Sequence, residues 1–258
     1  LWSDRPEGIA NRLGWLDAPS RAVRHLAEWA SIERAVRSEG LRDVVLLGMG
    51  GSSLAAEVLA AVDGRLATYP FEAPADGPQL RIGDSTEPTA LRDLELSLSL
   101  DRTLFVSASK SGTTLETSAL TGHLLELCRA RLGPVEAGRR FVAITDAGSA
   151  LERDARALGF RAVVHGEPDI GGRFSALSAF GLLPPCLVGF DPAPVVAAAA
   201  NGAEACAPHL AVADNPAARL AALLAAAMEK GRDKVALLVS ERFAALGDWI
   251  EQLVAEST

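Results

Sequence analysis

Six hydroxyls and a lysine crowd the segment Ser107-Ala108-Ser109-Lys110-Ser111-Gly112-Thr113-Thr114-Leu115-Glu116-Thr117, where an apolar run gives way to a helical pattern. Hydroxyls and the free N–H groups of a helix N-terminus together encircle an anion, and Lys110 adds charge. Charge-assisted hydrogen bonds contribute about 1.5–3 kcal/mol each, so four or five of them hold a phosphorylated metabolite in the micromolar range after ordering costs. The plainer reading is a helix cap, since Thr113 and Glu116 have the spacing of a Thr-x-x-Glu capping box. A cap needs one hydroxyl, and six point to phosphate.

Three further segments carry chemistry-bearing types. Gly48-Met49-Gly50-Gly51-Ser52-Ser53 is a glycine-rich turn after an apolar run. A dinucleotide fingerprint would need Gly at 53 and an acidic residue ~20 positions on, at a strand end. Position 53 is Ser, and Asp63 lies only halfway, in a loop. A Walker motif is excluded because no Gly-Lys-Ser/Thr follows. In Gly171-Gly172-Arg173-Phe174-Ser175, a glycine pair lets backbone approach a ligand while a guanidinium reaches it, although Arg173 has Asp169 as an alternative partner. The last segment, Trp249-Ile250-Glu251-Gln252-Leu253-Val254-Ala255-Glu256-Ser257-Thr258, holds two glutamates five apart. They diverge by about 140° on a helix and do not form a paired-carboxylate site, so spacing alone leaves both as solvated surface groups.

These segments need elements to hold them. Short apolar runs at 43–48, 79–82, 103–108, 140–145, 160–164 and 234–239 predict strands. Helical periodicity predicts helices over 21–37, 54–62, 89–98, 115–131, 150–158, 177–188, 194–205 and 216–230, with 63–77 and 132–138 as loops. Strands apolar on both faces, alternating with helices, predict an α/β fold with a parallel sheet covered on both sides. In such sheets ligands sit beyond the carboxyl ends of the strands, where helix N-termini aim their N–H groups. The organisation reads as an N-terminal helical segment (1–40), a first α/β domain (41–192), connecting helices (193–230) and the start of a second α/β unit (231–258).

The chain has 258 residues, 49% hydrophobic, with 25 Lys and Arg against 33 Asp and Glu for a net charge of −8. That apolar content excludes disorder, and the acidic surface argues against nucleic acid as a partner. No run approaches the ~18 apolar residues of a membrane span, so no membrane partner is expected. Cys128, Cys186 and Cys206 have neither disulfide nor metal-ligand spacing and read as buried residues of a reducing compartment. The opening at Leu1-Trp2 lacks a signal-peptide pattern and a Met, and the chain stops in mid-helix pattern at Thr258, which reads as a piece of a longer protein.

Together, Gly-x-Gly-Gly-Ser, Ser-Lys-Ser-Gly-Thr-Thr-x-Glu-Thr, Gly-Gly-Arg-Phe-Ser-x-x-Ser-Ala-x-Gly-Leu and Glu-Gln-Leu-x-Ala-Glu-Ser-Thr, in this order, resemble the glucose-6-phosphate isomerase family. The opening, with Asn11-Arg12-Leu13-Gly14-Trp15-Leu16, is similar to the isomerase half of bacterial transaldolase/glucose-6-phosphate isomerase fusions. The resemblance implies a fold of two sugar-isomerase (SIS) domains. The first would be a three-layer αβα unit with a five-stranded parallel sheet, and this chain would end at the start of the second.

It also implies interconversion of glucose 6-phosphate and fructose 6-phosphate through a cis-enediol, in glycolysis and gluconeogenesis, without metal or organic cofactor. By resemblance, Ser52, Ser109, Lys110, Ser111 and Thr114 fall on phosphate-binding positions, with Gly51 and Thr117 beside them. Arg173 matches the arginine that stabilises the enediolate, and Glu256 matches the base that moves a proton between C1 and C2. A proton alpha to a carbonyl leaves only if the developing oxyanion meets a fixed positive group, and a carboxylate fits the base role if partly buried.

The family is a cytoplasmic homodimer whose ring-opening histidine and lysine lie well after the Glu-Ser-Thr segment, beyond this chain. His25, His123, His165 and His209 match no such position and read as structural or surface histidines. The fragment would therefore bind sugar phosphate better than it turns it over. Three other readings stand beside this one. A non-catalytic SIS sensor would not need the match over 251–258. A dual phosphoglucose/phosphomannose isomerase would be separated by mannose 6-phosphate, and a nucleotide-dependent oxidoreductase has only the first glycine turn in its favour.

Overall fold

The computed structural model describes residues 9–69 and 77–257. The opening residues and the middle of the 63–77 loop, with Pro70 and Pro74, lie outside them, as does Thr258. Five strands run in the order β2-β1-β3-β4-β5: β1 Asp43–Leu47, β2 Gln79–Gly83, β3 Thr103–Ala108, β4 Phe141–Thr145 and β5 Ala162–His165. All are parallel, with Val44 opposite Leu80 and Leu104, and Val106 opposite Val142. The five-stranded parallel α/β sheet expected from the sequence is present.

Every residue of β1, β3 and β4 is buried, because helices cover both faces and alternate side chains feed two cores. One core joins Val44, Leu46, Leu104, Val106, Val142 and Ile144 to α1 (Ala18–Ser38), α2 (Leu54–Val62) and α7 (Ala179–Leu187). The other joins Val45, Leu47, Phe105 and Phe141 to α3 (Pro88–Ser97), α4 (Leu115–Leu132) and α5 (Pro134–Arg139). α6 (Ala150–Ala157) links β4 to β5, and α8 (Ala193–Ala205), α9 (Pro216–Glu229) and α10 (Leu246–Ala255) follow.

Two expectations, the loop over 132–138 and the strand over 234–239, are corrected. Residues 132–138 are not all loop: Pro134 sits in the first turn of α5, where its missing N–H costs nothing, and Ala137 is buried. The helix expected over 177–188 is present as α7, preceded by a 3-10 turn at Gly172–Leu177, and Ser178 caps its start by accepting from the amide of Phe180. Residues 234–239 form no strand; they pair with none among the described residues, and Leu238 is 98% exposed. A strand needs a neighbour's backbone groups, and apolar character does not supply one. α9 is likewise uncovered, with Leu223 and Met228 about two-thirds exposed.

Candidate active site

The chain leaves β1 toward β2 on one side and leaves β3 toward β4 on the other, so the gap between β1 and β3 is the point where strand order reverses. In doubly wound sheets the crevice beyond that gap takes the ligand. The two richest glycine and hydroxyl segments follow these two strands. After β1, Gly50–Ser52 forms a 3-10 turn that leads into α2. After β3, residues 109–114 lead into α4.

The hydroxyl loop is organised from within. Ser109 Oγ lies 2.9 Å from Thr114 Oγ1 and accepts from the amide of Gly112 at 3.2 Å. Ser111 Oγ lies 2.8 Å from Thr113 Oγ1. The Thr113–Glu116 capping box does not form: Thr114 is the cap residue of α4, and no side chain caps the helix. The N-terminal N–H groups of α4 thus remain available to an anion. Ser111 is exposed and Thr114 half-buried, whereas Ser109 and Thr117 are buried. Thr117 lines a cavity of about 150 Å³ beneath the loop, and its hydroxyl has no protein partner among the described residues.

Lys110 is turned away from the other hydroxyl-loop groups into an ion pair. Its ammonium contacts Asp146 at 2.8 Å and donates to the carbonyl of Glu167 at 2.7 Å. Arg21 of α1 holds Glu167 and Asp169 in turn, at 3.2 and 2.6 Å. The hydrogen bond from Arg21 keeps the Asp169 carboxyl below the usual carboxylate range. Asp169, the alternative partner weighed for Arg173, is therefore already engaged.

Arg173 instead meets the last helix. Its Nε donates to Ser257 Oγ at 2.8 Å, and its Nη1 lies 3.5 Å from Glu256 Oε2. Glu256 also accepts from Gln252 Nε2 at 2.9 Å, and its side chain is half exposed. Three segments separated widely in sequence thus meet. The Gly50–Ser52 turn packs backbone to backbone on Gly172–Arg173, with no room for a Cβ at Gly51. Ser175 Oγ shares its one proton between the carbonyls of Gly51 at 2.8 Å and Gly172 at 2.6 Å. The amide of Gln252 fills the space over Gly50. A groove of about 410 Å³ opens beside Arg173, with Arg12, Trp15 and Ser257 in its wall.

Gln252, Ser257 and the Trp15–Phe174 stack escaped the reading of the sequence. Gln252 and Ser257 lie inside the Glu-Gln-Leu-x-Ala-Glu-Ser-Thr motif, but neither carries a charge that marks it as chemically distinct. Trp15 gave no chemical signal of its own. No histidine contacts Arg173 or Glu256 among the described residues: His25 lies beside Glu28 and Glu167, His123 beside Glu95 and His165 beside Glu152. Among the described residues, no helix is long and apolar enough to cross a membrane.

Residues 21–257 match the family model described as "Phosphoglucose isomerase". The chain is 36% identical over 252 residues to "Glucose-6-phosphate isomerase" of Symbiobacterium thermophilum, covering 95% of this chain and 55% of that protein. A crystal structure of a hypothetical protein from Thermus thermophilus superposes with a TM-score of 0.79 at 29% identity, over 96% of this chain and 56% of the other. A crystal structure of a glucose-6-phosphate isomerase from Chlamydia trachomatis shares the fold, with a TM-score of 0.76 at 23% identity over 93% of this chain and 45% of that one. The chain spans about half the length of the curated relatives it matches. With a family model matched over nearly its whole length, and the fold of a solved isomerase, this chain belongs to the phosphoglucose isomerase family.

Proposed function

We propose that this chain carries the phosphate-holding and proton-moving part of a site that interconverts glucose 6-phosphate and fructose 6-phosphate. The observation that carries the reading is the meeting of Arg173 with Glu256, 83 positions later, against the Gly50–Ser52 turn at the sheet's switch point. The phosphate sits over 109–114 and Ser52, held by Ser109, Ser111, Thr114 and the free amides of α4, with Gly51, Lys110 and Thr117 supporting the loop. The open-chain aldose places C1 and C2 between Arg173 and Glu256. Glu256 takes the proton from C2, the C–H electron pair forms the C1–C2 double bond, and the carbonyl pair moves to O1, where Arg173 meets the negative charge. The O2 hydroxyl proton passes to O1, and returning the carbon-bound proton from Glu256 to C1 as the O2 pair forms a carbonyl at C2 yields the ketose. No external oxidant or reductant enters.

Ring opening is assigned to the part of the protein that corresponds to the remaining length of the relatives. Residues 1–40, 41–192, 193–230 and 231–258 are taken as the helical lead, the first SIS domain, the connecting helices and the opening of a second SIS domain. The uncovered apolar side chains of α9 and of 234–239 support that last assignment. A cytoplasmic homodimer is inferred for the whole protein, and fusion to an upstream transaldolase is inferred from the opening residues.

Titration calorimetry of the chain with fructose 6-phosphate, with fructose as control, tests the cradle: binding of the phosphate form alone is expected, and equal affinity for both overturns it. In the whole protein, Glu256→Gln is expected to abolish proton exchange at C2 while sparing binding. Retained exchange removes Glu256 from the role, and turnover of mannose 6-phosphate would widen the substrate to both sugars.

A further inference from the structure

The geometry points to Trp15 and Phe174 as positioning residues that hold the Arg173 guanidinium in place, an inference that rests on the role proposed for Arg173. The guanidinium carbon lies 4.7 Å from the centroid of the Phe174 ring. The Trp15 indole stacks on that ring with centroids 5.1 Å apart and planes at 17°. A cation over an aromatic ring is attracted by the ring quadrupole, and a second ring against the first keeps it from rotating away.

The stack is anchored at its far end. Trp15 belongs to the short turn Gly14–Asp17 that precedes α1. The amide of Gly14 donates to the carbonyl of Asp169 at 3.0 Å, and Leu13 forms an isolated bridge with Ile170. A Cβ at Gly14 would collide with the Asp169 carboxylate, which Arg21 fixes through two hydrogen bonds, 2.6 and 2.9 Å long. A continuous set of contacts therefore runs from Arg21 through Asp169, the Gly14 turn, Trp15 and Phe174 to Arg173. The guanidinium is held along its edge by Ser257 and Glu256, and across its face by Phe174. Edge contacts alone leave it free to pivot once a sugar enters between Arg173 and Glu256. The ring contact is independent of that carboxylate and persists when it moves.

The test measures kcat and KM for fructose 6-phosphate in the whole protein for Phe174→Leu, Phe174→Tyr and Trp15→Leu, each alone and combined with Arg173→Lys. The leucine variants are expected to lower kcat about tenfold with KM changed less than twofold, because the loss falls on charge that develops in the transition state. Phe174→Tyr keeps the ring and is expected to retain wild-type kcat. In the Arg173→Lys background the leucine variants are expected to add almost no further loss. An undiminished further loss there, or a rise in KM with kcat unchanged, overturns the inference. A normal kcat in Phe174→Leu beside a large loss in Arg173→Lys overturns it alone. A normal kcat in Arg173→Lys overturns the role of Arg173 and the inference with it. Phe174→Tyr carries the test should Phe174→Leu fail to fold, since loss of kcat with the ring intact equally refutes it.

Discussion

Adding one methyl group at Gly51 is expected to cost more activity than stability. Its Cβ would overlap the carbonyl of Gly172 and stand 2.8 Å from the amide nitrogen of Arg173. Ordinary contact begins near 3.4 Å, so the Arg173 backbone must retreat by about 0.6 Å, and the Gly172 carbonyl by more. Both obstacles are backbone, and no rotamer change relieves them. The retreat pulls on the 2.8 Å hydrogen bond from Ser175 to the Gly51 carbonyl. Overpacking of this kind costs about 1–3 kcal/mol, or a few degrees in Tm for a chain of this size. A shift approaching 1 Å in a group that stabilises developing charge costs on the order of a hundredfold in rate. Gly51→Ala is therefore expected to lower kcat of the whole protein about a hundredfold while the chain stays folded at 25 °C. Gly122→Ala is the control. Gly122 is exposed within α4, a Cβ there meets nothing within 4 Å, and alanine should stabilise the helix by up to about 1 kcal/mol without touching kcat. Near-normal kcat in Gly51→Ala would mean that the two turns do not set the position of Arg173.

Three further outcomes follow from single observations. Ser109→Ala removes a hydroxyl that faces Thr114 and accepts from the amide of Gly112, and is expected to weaken fructose 6-phosphate binding about tenfold or more by calorimetry; unchanged affinity would take Ser109 out of the cradle. Glu57 of α2 is held above the usual carboxylate range by burial and by the charges of Asp84 and Asp248. Its folded form prefers the proton, so its contribution to stability is present at low pH and is lost as pH rises through the raised value. Glu57→Gln should thus raise Tm at pH 8 more than at pH 4, and equal changes at both would refute this. Burial pushes the Cys128 and Cys186 thiols up to about 11, leaving roughly one thiolate in a thousand at pH 8. Iodoacetamide at pH 8 is expected to modify half-buried Cys206 in the native chain and spare the other two by mass spectrometry, and labelling of Cys128 at the rate of the unfolded chain would contradict the burial.

What the sequence made legible follows the range of the interactions involved. The strands at 43–47, 103–108 and 141–145 were readable because burial on both faces leaves unbroken apolar runs, a local signal. The hydroxyl loop could be singled out as a candidate anion site because its hydroxyls are neighbours in sequence. Arg173 and Glu256 were different: five-residue spacing put Glu256 away from Glu251 and gave it no partner. Its partner lies 83 positions upstream, and only the family resemblance connected the two. The direction of Lys110 was not legible at all, because Asp146 and the carbonyl of Glu167 reach it through the packing of the segments after β4 and β5. The apolar run at 234–239 shows the converse error, since a local signal for a strand was present and the neighbour that would complete it was not.

The cations around the site bear on how an acidic chain of net charge −8 would take a phosphate dianion. Lys110 is neutralised by Asp146, Arg21 by Glu167 and Asp169, and Arg173 by Glu256. Arg12, exposed in the wall of the groove beside Arg173, is left to attract the ligand at longer range, and the other groups act at short range: the hydroxyls of 109–114 and the uncapped amides of α4. Such groups hold phosphate only at hydrogen-bond distance, which favours fit over charge. The same economy acts at Arg173. On the mechanism proposed above, pairing with Glu256 would keep its charge from being spent on the ground state, and a sugar entering between them would turn the guanidinium toward an oxygen whose growing charge it would meet. The requirement passes to the backbone, because a guanidinium released from its carboxylate is useful only if something else keeps it in place. The packed turns at Gly51 and Gly172 and the ring of Phe174 are contacts that do not pass through Glu256.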